Sequence, residues 1–159
     1  MKVTIISVGK LKEKYLKDAV AEYTKRLSKY AKIEIIELQD EKITDNNSLD
    51  NVKNKEGSAI LKALPSTPKN QYIVALTLDG VQSDSDAFSE FFKSKMTMGV
   101  SHIYFIIGGT LGISDIVLSH CHTKMSLSKM TFTHQLVRVI LLEQVYRAFK
   151  ILGNEKYHR

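Results

Sequence analysis

"VTIISV", Val3–Val8, stands two residues into the chain, and none of its six residues is charged. Five of them are β-branched, which suits a strand. A strand with one wet face alternates apolar and polar residues; this run does not, which suits a strand covered on both faces in a parallel sheet. Gly9 ends it. Leu11, Tyr15, Ala19, Tyr23, Leu27 and Tyr30 then recur at steps of three and four, the spacing of a helical stripe. Glu13 with Lys17 and Glu22 with Arg26 are i,i+4 pairs for its wet side. Strand followed by helix is the unit from which parallel sheets are made.

The unit repeats along the chain. "KIEIIEL", Lys32–Leu38, reads as a second strand, and a polar stretch leads to a helix over Val52–Ala63, closed by Pro65 and Pro68. "QYIVALTL", Gln71–Leu78, is a third strand. Ser83 and Asp86 have capping-box spacing ahead of a stripe of Phe88, Phe91, Phe92 and Met96. "HIYFIIGG", His102–Gly109, is a fourth strand, followed by a short helix over Ser114–Ser119 and a short strand "TKMSL", Thr123–Leu127. A long helix from Thr133 to Leu152 completes the pattern. The expectation is an α/β fold with a mostly parallel sheet flanked by helices, residues 1–159 forming one domain.

Composition narrows the function classes. The longest apolar runs fall short of the roughly 18 residues that suggest a membrane span. The single cysteine, Cys121, excludes an internal disulfide framework and fits a reducing cytosol, so the expected location is cytoplasmic. A net charge of +6 favours a polyanionic partner. His120, Cys121 and His122 are adjacent, but no second ligand pair has zinc spacing, and no metal is expected.

Ligands of open α/β sheets sit at the carboxyl ends of strands. Here those ends are "LTLDG", "IIGGTLGIS" and "SLSKMTFTH". Gly108, Gly109 and Gly112 allow close backbone approach, yet match neither the dinucleotide fingerprint nor a P-loop. "LSKMTF", Leu127–Phe132, combines apolar side chains with Ser128 and Thr131, suiting a flat apolar ring bonded at its edge; Thr131 or Thr133 would also cap the following helix. That helix carries Val137, Leu141, Val145, Ala148, Phe149 and Leu152 on one stripe, widened by Leu136, Val139, Ile140 and Leu142. So wide an arc calls for burial on two sides and predicts a homodimer. Arg138, Arg147 and the lysines of the first helix are candidates for phosphate contact.

"IIGGTLGIS", "LSLSKMTFTHQLVRVILLEQVYRAF" and the terminal "YHR", together with "SVGKLKEKYLKDAVAEYTKRL" near the start, closely resemble the ribosomal RNA large subunit methyltransferase H family, one of the SPOUT methyltransferases. The likeness covers the whole chain. It departs at Thr133, where many members have proline, and at Leu111, where some have an acidic residue. The resemblance implies a trefoil knot in the C-terminal half, a homodimer, and S-adenosylmethionine bound by Leu76, Gly108 and Leu127, Ser128, Lys129, Met130, Thr131 and Phe132. It implies methylation of N3 of a pseudouridine in 23S ribosomal RNA on the assembled ribosome. Tyr157, His158 and Arg159 are then the catalytic candidates: imidazole to take a proton, guanidinium to bond a carbonyl or phosphate, phenol to stack or donate. Two alternatives remain open to the residues: a non-catalytic basic dimeric ribosome-binding factor, and a SPOUT methyltransferase acting on tRNA.

Overall fold

The computed structural model describes residues 1–44, 48–65 and 69–157. Five strands, β1 (Lys2–Val8), β2 (Lys32–Leu38), β3 (Gln71–Gln82), β4 (His102–Ile107) and β5 (Thr123–Ser126), form one sheet in the order β2-β1-β4-β3-β5. Every pairing is parallel. Helices α1 (Lys14–Leu27), α2 (Leu49–Ala63), α3 (Ser85–Thr97), α4 (Asp115–Leu118) and α5 (His134–Leu152) connect and cover it.

The first strand behaves as its composition requires. Val3 and Ile5 enter a core shared with α1, α3 and α5, while Ile6 and Val8 enter a second core beneath α2 and α4. Ile103, Phe105 and Ile107 on β4 point to the first core, and Tyr104 and Ile106 to the second. Burial on both faces explains the absence of polar alternation.

Several boundaries differ from the expectation. The buried stripe of α1 is Leu16, Val20 and Leu27, with Tyr23 packed beside it; Tyr15 is 68% exposed. A second apolar series lay one residue out of phase, about 100° around the helix. Of the two expected ion pairs, Glu22–Arg26 forms at 2.7 Å. Helix α2 starts earlier than expected because Ser48 caps it, accepting from the Asn51 N–H. It ends at Leu64, held extended just before Pro65; Pro68 lies outside the described residues. The cap of α3 is Asp84, accepting from the Ala87 N–H at 2.7 Å, rather than Ser83. Strand β3 runs on to Gln82 because β5 extends its ladder past an irregularity between Leu76 and Val81. Gly80 permits this: a Cβ there would collide with the backbone of Met125.

Arg138 corrects a further expectation. It is fully buried, not a surface phosphate contact. Its guanidinium donates to Glu37 Oε1 at 2.5 Å and to the Gly9 carbonyl at 2.6 Å. Glu37 also accepts from the Leu11 N–H at 2.9 Å. One arginine thus ties α5 to the carboxyl ends of β1 and β2.

Candidate functional site

The parallel sheet brings all five carboxyl ends to one edge, and most of the site residues follow from that. Leu76 is paired with Ile107 of β4 and Met125 of β5, so it lies between Gly108 on one side and the segment after Ser126 on the other. Gly108 begins a tight turn in which the Gly112 N–H donates to the Gly109 carbonyl at 3.0 Å. A Cβ on Gly108 would come within 2.6 Å of the Gly112 backbone, so glycine is required for the turn to close. Gly112 itself has φ +77°, the left-handed region.

The segment 127–133 is irregular and shaped by its own hydroxyls. Ser126 donates to the Ser128 carbonyl, and the Ser128 hydroxyl accepts from the Met130 N–H, both at 2.9 Å. Leu127, Ser128 and Phe132 are half-buried, while Lys129, Met130 and Thr131 are exposed. Thr133, not Thr131, caps α5, with its hydroxyl accepting from the Leu136 N–H at 3.4 Å. Leu76, Leu127 and Phe132 are therefore partly open apolar groups around a turn that carries no side chain at Gly108. Apolar walls and free backbone edges fit an adenosine-type ligand.

The tail docks elsewhere. Tyr157 packs edge-on against Tyr146, 4.8 Å between ring centres, beneath the Arg147 guanidinium, and its hydroxyl donates to Glu143 at 3.4 Å. Glu143 lies nine residues into α5, about 14 Å along the helix from its start beside the 127–133 segment. Tyr157 is thus not brought together with Leu76, Gly108 or 127–132 within this chain. Burial, with a hydrogen bond to Tyr23, pushes its phenol up to about 12. His158 and Arg159 lie outside the described residues.

The adjacent His120, Cys121 and His122, from which no metal site is expected, have other work. His122 Nδ1 accepts from the Ile73 N–H at 3.0 Å, and its ring stacks on Tyr72. The Cys121 thiol is pushed up to about 11 by burial, so it is not a nucleophile at neutral pH. Among the described residues, no three His, Cys, Asp or Glu side chains are grouped to hold a metal.

The enclosed cavity of this edge escaped the sequence reading. It measures about 40 Å³ and lies between β1 and β4, lined by Val8, Asp40, Glu41, Glu56, Gly109 and His134 among others. The signal for it is the carboxyl end of β1, which marks a site only once β4 is known to lie beside β1.

A turn of glycines at a parallel sheet edge, a hydroxyl-shaped loop and a long following helix now stand beside a sequence match. The model of a family described as "Predicted SPOUT methyltransferase" matches residues 1–158. The chain belongs to the SPOUT methyltransferase family. It is 52% identical to "Ribosomal RNA large subunit methyltransferase H 1" of Clostridium perfringens strain SM101. It is 53% identical to proteins named "Ribosomal RNA large subunit methyltransferase H" from Clostridium botulinum strain Kyoto and from Clostridium acetobutylicum. Each alignment covers the whole of both chains. As a SPOUT methyltransferase, the chain presents its cofactor candidates on three adjacent strands, β4, β3 and β5. No helix among the described residues is long and apolar enough to cross a membrane.

Proposed function

We propose that this protein methylates large-subunit ribosomal RNA, using S-adenosylmethionine, at N3 of a pseudouridine on the assembled ribosome. One observation carries the reading: Leu76, Gly108 and Leu127–Phe132 converge on one sheet edge in a chain more than half identical, end to end, to proteins named as large-subunit ribosomal RNA methyltransferases. The donor supplies an activated methyl group, and the chain's residues position, exclude water and manage a proton. The half-buried Leu76, Leu127 and Phe132 would hold the adenosine of that donor, and the 108–112 turn would offer its edge a backbone to bond.

The acceptor is a ring imide that must lose its proton as the methyl arrives, which calls for a base and a cation. Tyr157 remains a phenol at neutral pH, so it donates or stacks and does not take the proton. That leaves His158 as the base and Arg159 as the group that steadies the developing negative charge. The active unit is a homodimer: Val139 and Ile140 are only partly buried on α5, Leu136 is 39% exposed, and Tyr157 sits about 14 Å along α5 from the cofactor candidates of its own chain. The tail of one subunit then completes the site of the other. Residues 1–159 act as one cytoplasmic domain with the trefoil knot of the SPOUT fold. The return of β5 to the outer side of β3, with α5 then packed against α1 and α3, is compatible with that threading.

The test is mass spectrometry of ribosomal RNA from cells with and without the gene. Loss of one methyl group from one modified uridine of the large-subunit RNA is expected. An unchanged large-subunit RNA beside an undermethylated tRNA would instead establish the tRNA reading.

A further inference from the structure

The segment after α5 is built into the fold. Asn154 takes φ +52°, the Glu155 N–H donates to the Lys150 carbonyl at 2.9 Å, and the Asn154 N–H donates to the Ile151 carbonyl at 3.0 Å. That pair of bonds is a Schellman ending, which closes the helix and turns the chain. Glu155 fixes the return, accepting from the Tyr30 hydroxyl at 2.8 Å and from Lys150 Nζ at 2.5 Å. The chain thus runs back along its own helix, from Lys150 beside Glu155 to Glu143 beside Tyr157.

Glu143 is the hub of the second contact. Its Oε1 accepts from Arg147 Nε at 3.0 Å and Nη2 at 2.5 Å, as well as from the Tyr157 hydroxyl. Its Oε2 accepts from Gln144 at 2.6 Å, and Gln144 Oε1 accepts from the Ser85 hydroxyl at the start of α3 at 2.8 Å. Arg147 stands 4.9 Å from the Tyr157 ring centre, Tyr146 packs 4.8 Å away, and Tyr23 of α1 backs Tyr146 at 6.3 Å. A residue that meets an acceptor base needs a free group to offer. The hydroxyl and the ring of Tyr157 are both engaged by its own chain.

We propose that Tyr157 is a positioning residue and that Glu143, Tyr146 and Arg147 form its socket. The ring is anchored on its own chain, and the anchor sets where the following residue, His158, begins. This rests on the methyl-transfer reading above, and it removes Tyr157 from the groups that touch the acceptor. A base works only within hydrogen-bond reach of the proton it takes, and a misplacement of about 1 Å costs on the order of 100-fold. No socket residue is a cofactor candidate or lines the crevice between β1 and β4, where Glu56 is buried, so donor affinity should not depend on the socket.

Steady-state methyl transfer to ribosomes that lack the modification, with calorimetry of S-adenosylhomocysteine, tests it on the full chain. Tyr157→Ala should lower kcat roughly 100-fold and leave that affinity within about twofold, whereas Tyr157→Phe, which keeps the ring, should recover at least about tenfold of the loss. Tyr146→Ala, verified as folded by a thermal melt, should match Tyr157→Ala. The double variant should lose no more than either alone, because both act through one contact. Tyr157→Phe as slow as Tyr157→Ala would make the hydroxyl a catalytic group and overturn the proposal. So would normal turnover by Tyr146→Ala, or losses that multiply in the double variant, since Tyr157 would then act away from the socket. Should Tyr146→Ala fail to fold, Arg147→Gln decides the same point: loss of the cation over the ring should slow turnover about tenfold, and no loss would overturn the proposal. Wild-type protein that binds S-adenosylhomocysteine but methylates no large-subunit RNA would remove the substrate reading and this proposal with it.

Discussion

Arg138 and Arg147 lie nine residues apart on one helix, and the sequence offers no sign that they differ. The first is sealed in the core, bonded to Glu37 and the Gly9 carbonyl. The second lies near the surface, forked onto Glu143 and stacked over Tyr157. One holds the start of α5 against the sheet edge where the cofactor candidates gather. The other holds the tail. The same side chain thus serves architecture at one end of the helix and a terminal segment at the other, and burial alone separates the roles.

The comparison is broken most decisively at the tail. Deleting Tyr157–Arg159 should reduce methyl transfer by several orders of magnitude while S-adenosylhomocysteine affinity stays within about twofold. Full turnover by the truncated chain would mean that the second end of α5 has no part in the chemistry. At the first end, Arg138→Ala should lower unfolding free energy by about 3 kcal/mol, since it leaves Glu37 unpaired at the sheet edge. Denaturant titration measures this, and a loss under about 1 kcal/mol would place Arg138 with ordinary surface pairs.

Two smaller effects sharpen the picture around the crevice. Gly109→Ala forces a methyl against Glu56 and Val8, and should cost about 1–3 kcal/mol, with Glu56→Ala in the same chain restoring part of it. Glu56 has a carboxyl raised above its ordinary 4.5, first by burial and then by Asp40 and Glu41. An acid whose folded-state value is raised holds more protons folded than unfolded, so its contribution is intact below pH 4.5 and is lost as pH rises through the raised value. Glu56→Gln should therefore match wild type in thermal stability near pH 4 and exceed it at neutral pH. A gap that narrows with rising pH would reverse that sign. The smallest effect belongs to Arg147→Ala, whose partly exposed ion pair with Glu143 should contribute under about 1 kcal/mol to stability.

Strand identity was legible because a strand buried on both faces has little choice of residue, as Val3–Val8 and Ile103–Ile107 illustrate. That the loops at Gly108 and Leu127–Phe132 share one edge was legible for a related reason: a parallel sheet gathers the ends of its strands there. Phase on an amphipathic helix was less legible. Tyr15 and Leu16 are both apolar neighbours, and only packing against the sheet selects Leu16. The crevice needed strand order, since Val8 and Gly109 meet only because β4 inserts beside β1. Arg138 and Glu56 were illegible because nothing local distinguishes a buried charge from an exposed one.

Strand order also sets a timetable for synthesis. Lys2 on β1 is in register with His102 on β4, one hundred residues later. At ~5–20 residues per second the ribosome needs roughly 5–20 s to supply that partner. Until then β1 has β2 on one side and an open apolar edge on the other, the kind of edge that recruits foreign strands. The wait for β4 is therefore the nascent chain's period of greatest exposure, and a chaperone that masks β1 during that interval would raise yield without changing the stability of the finished fold.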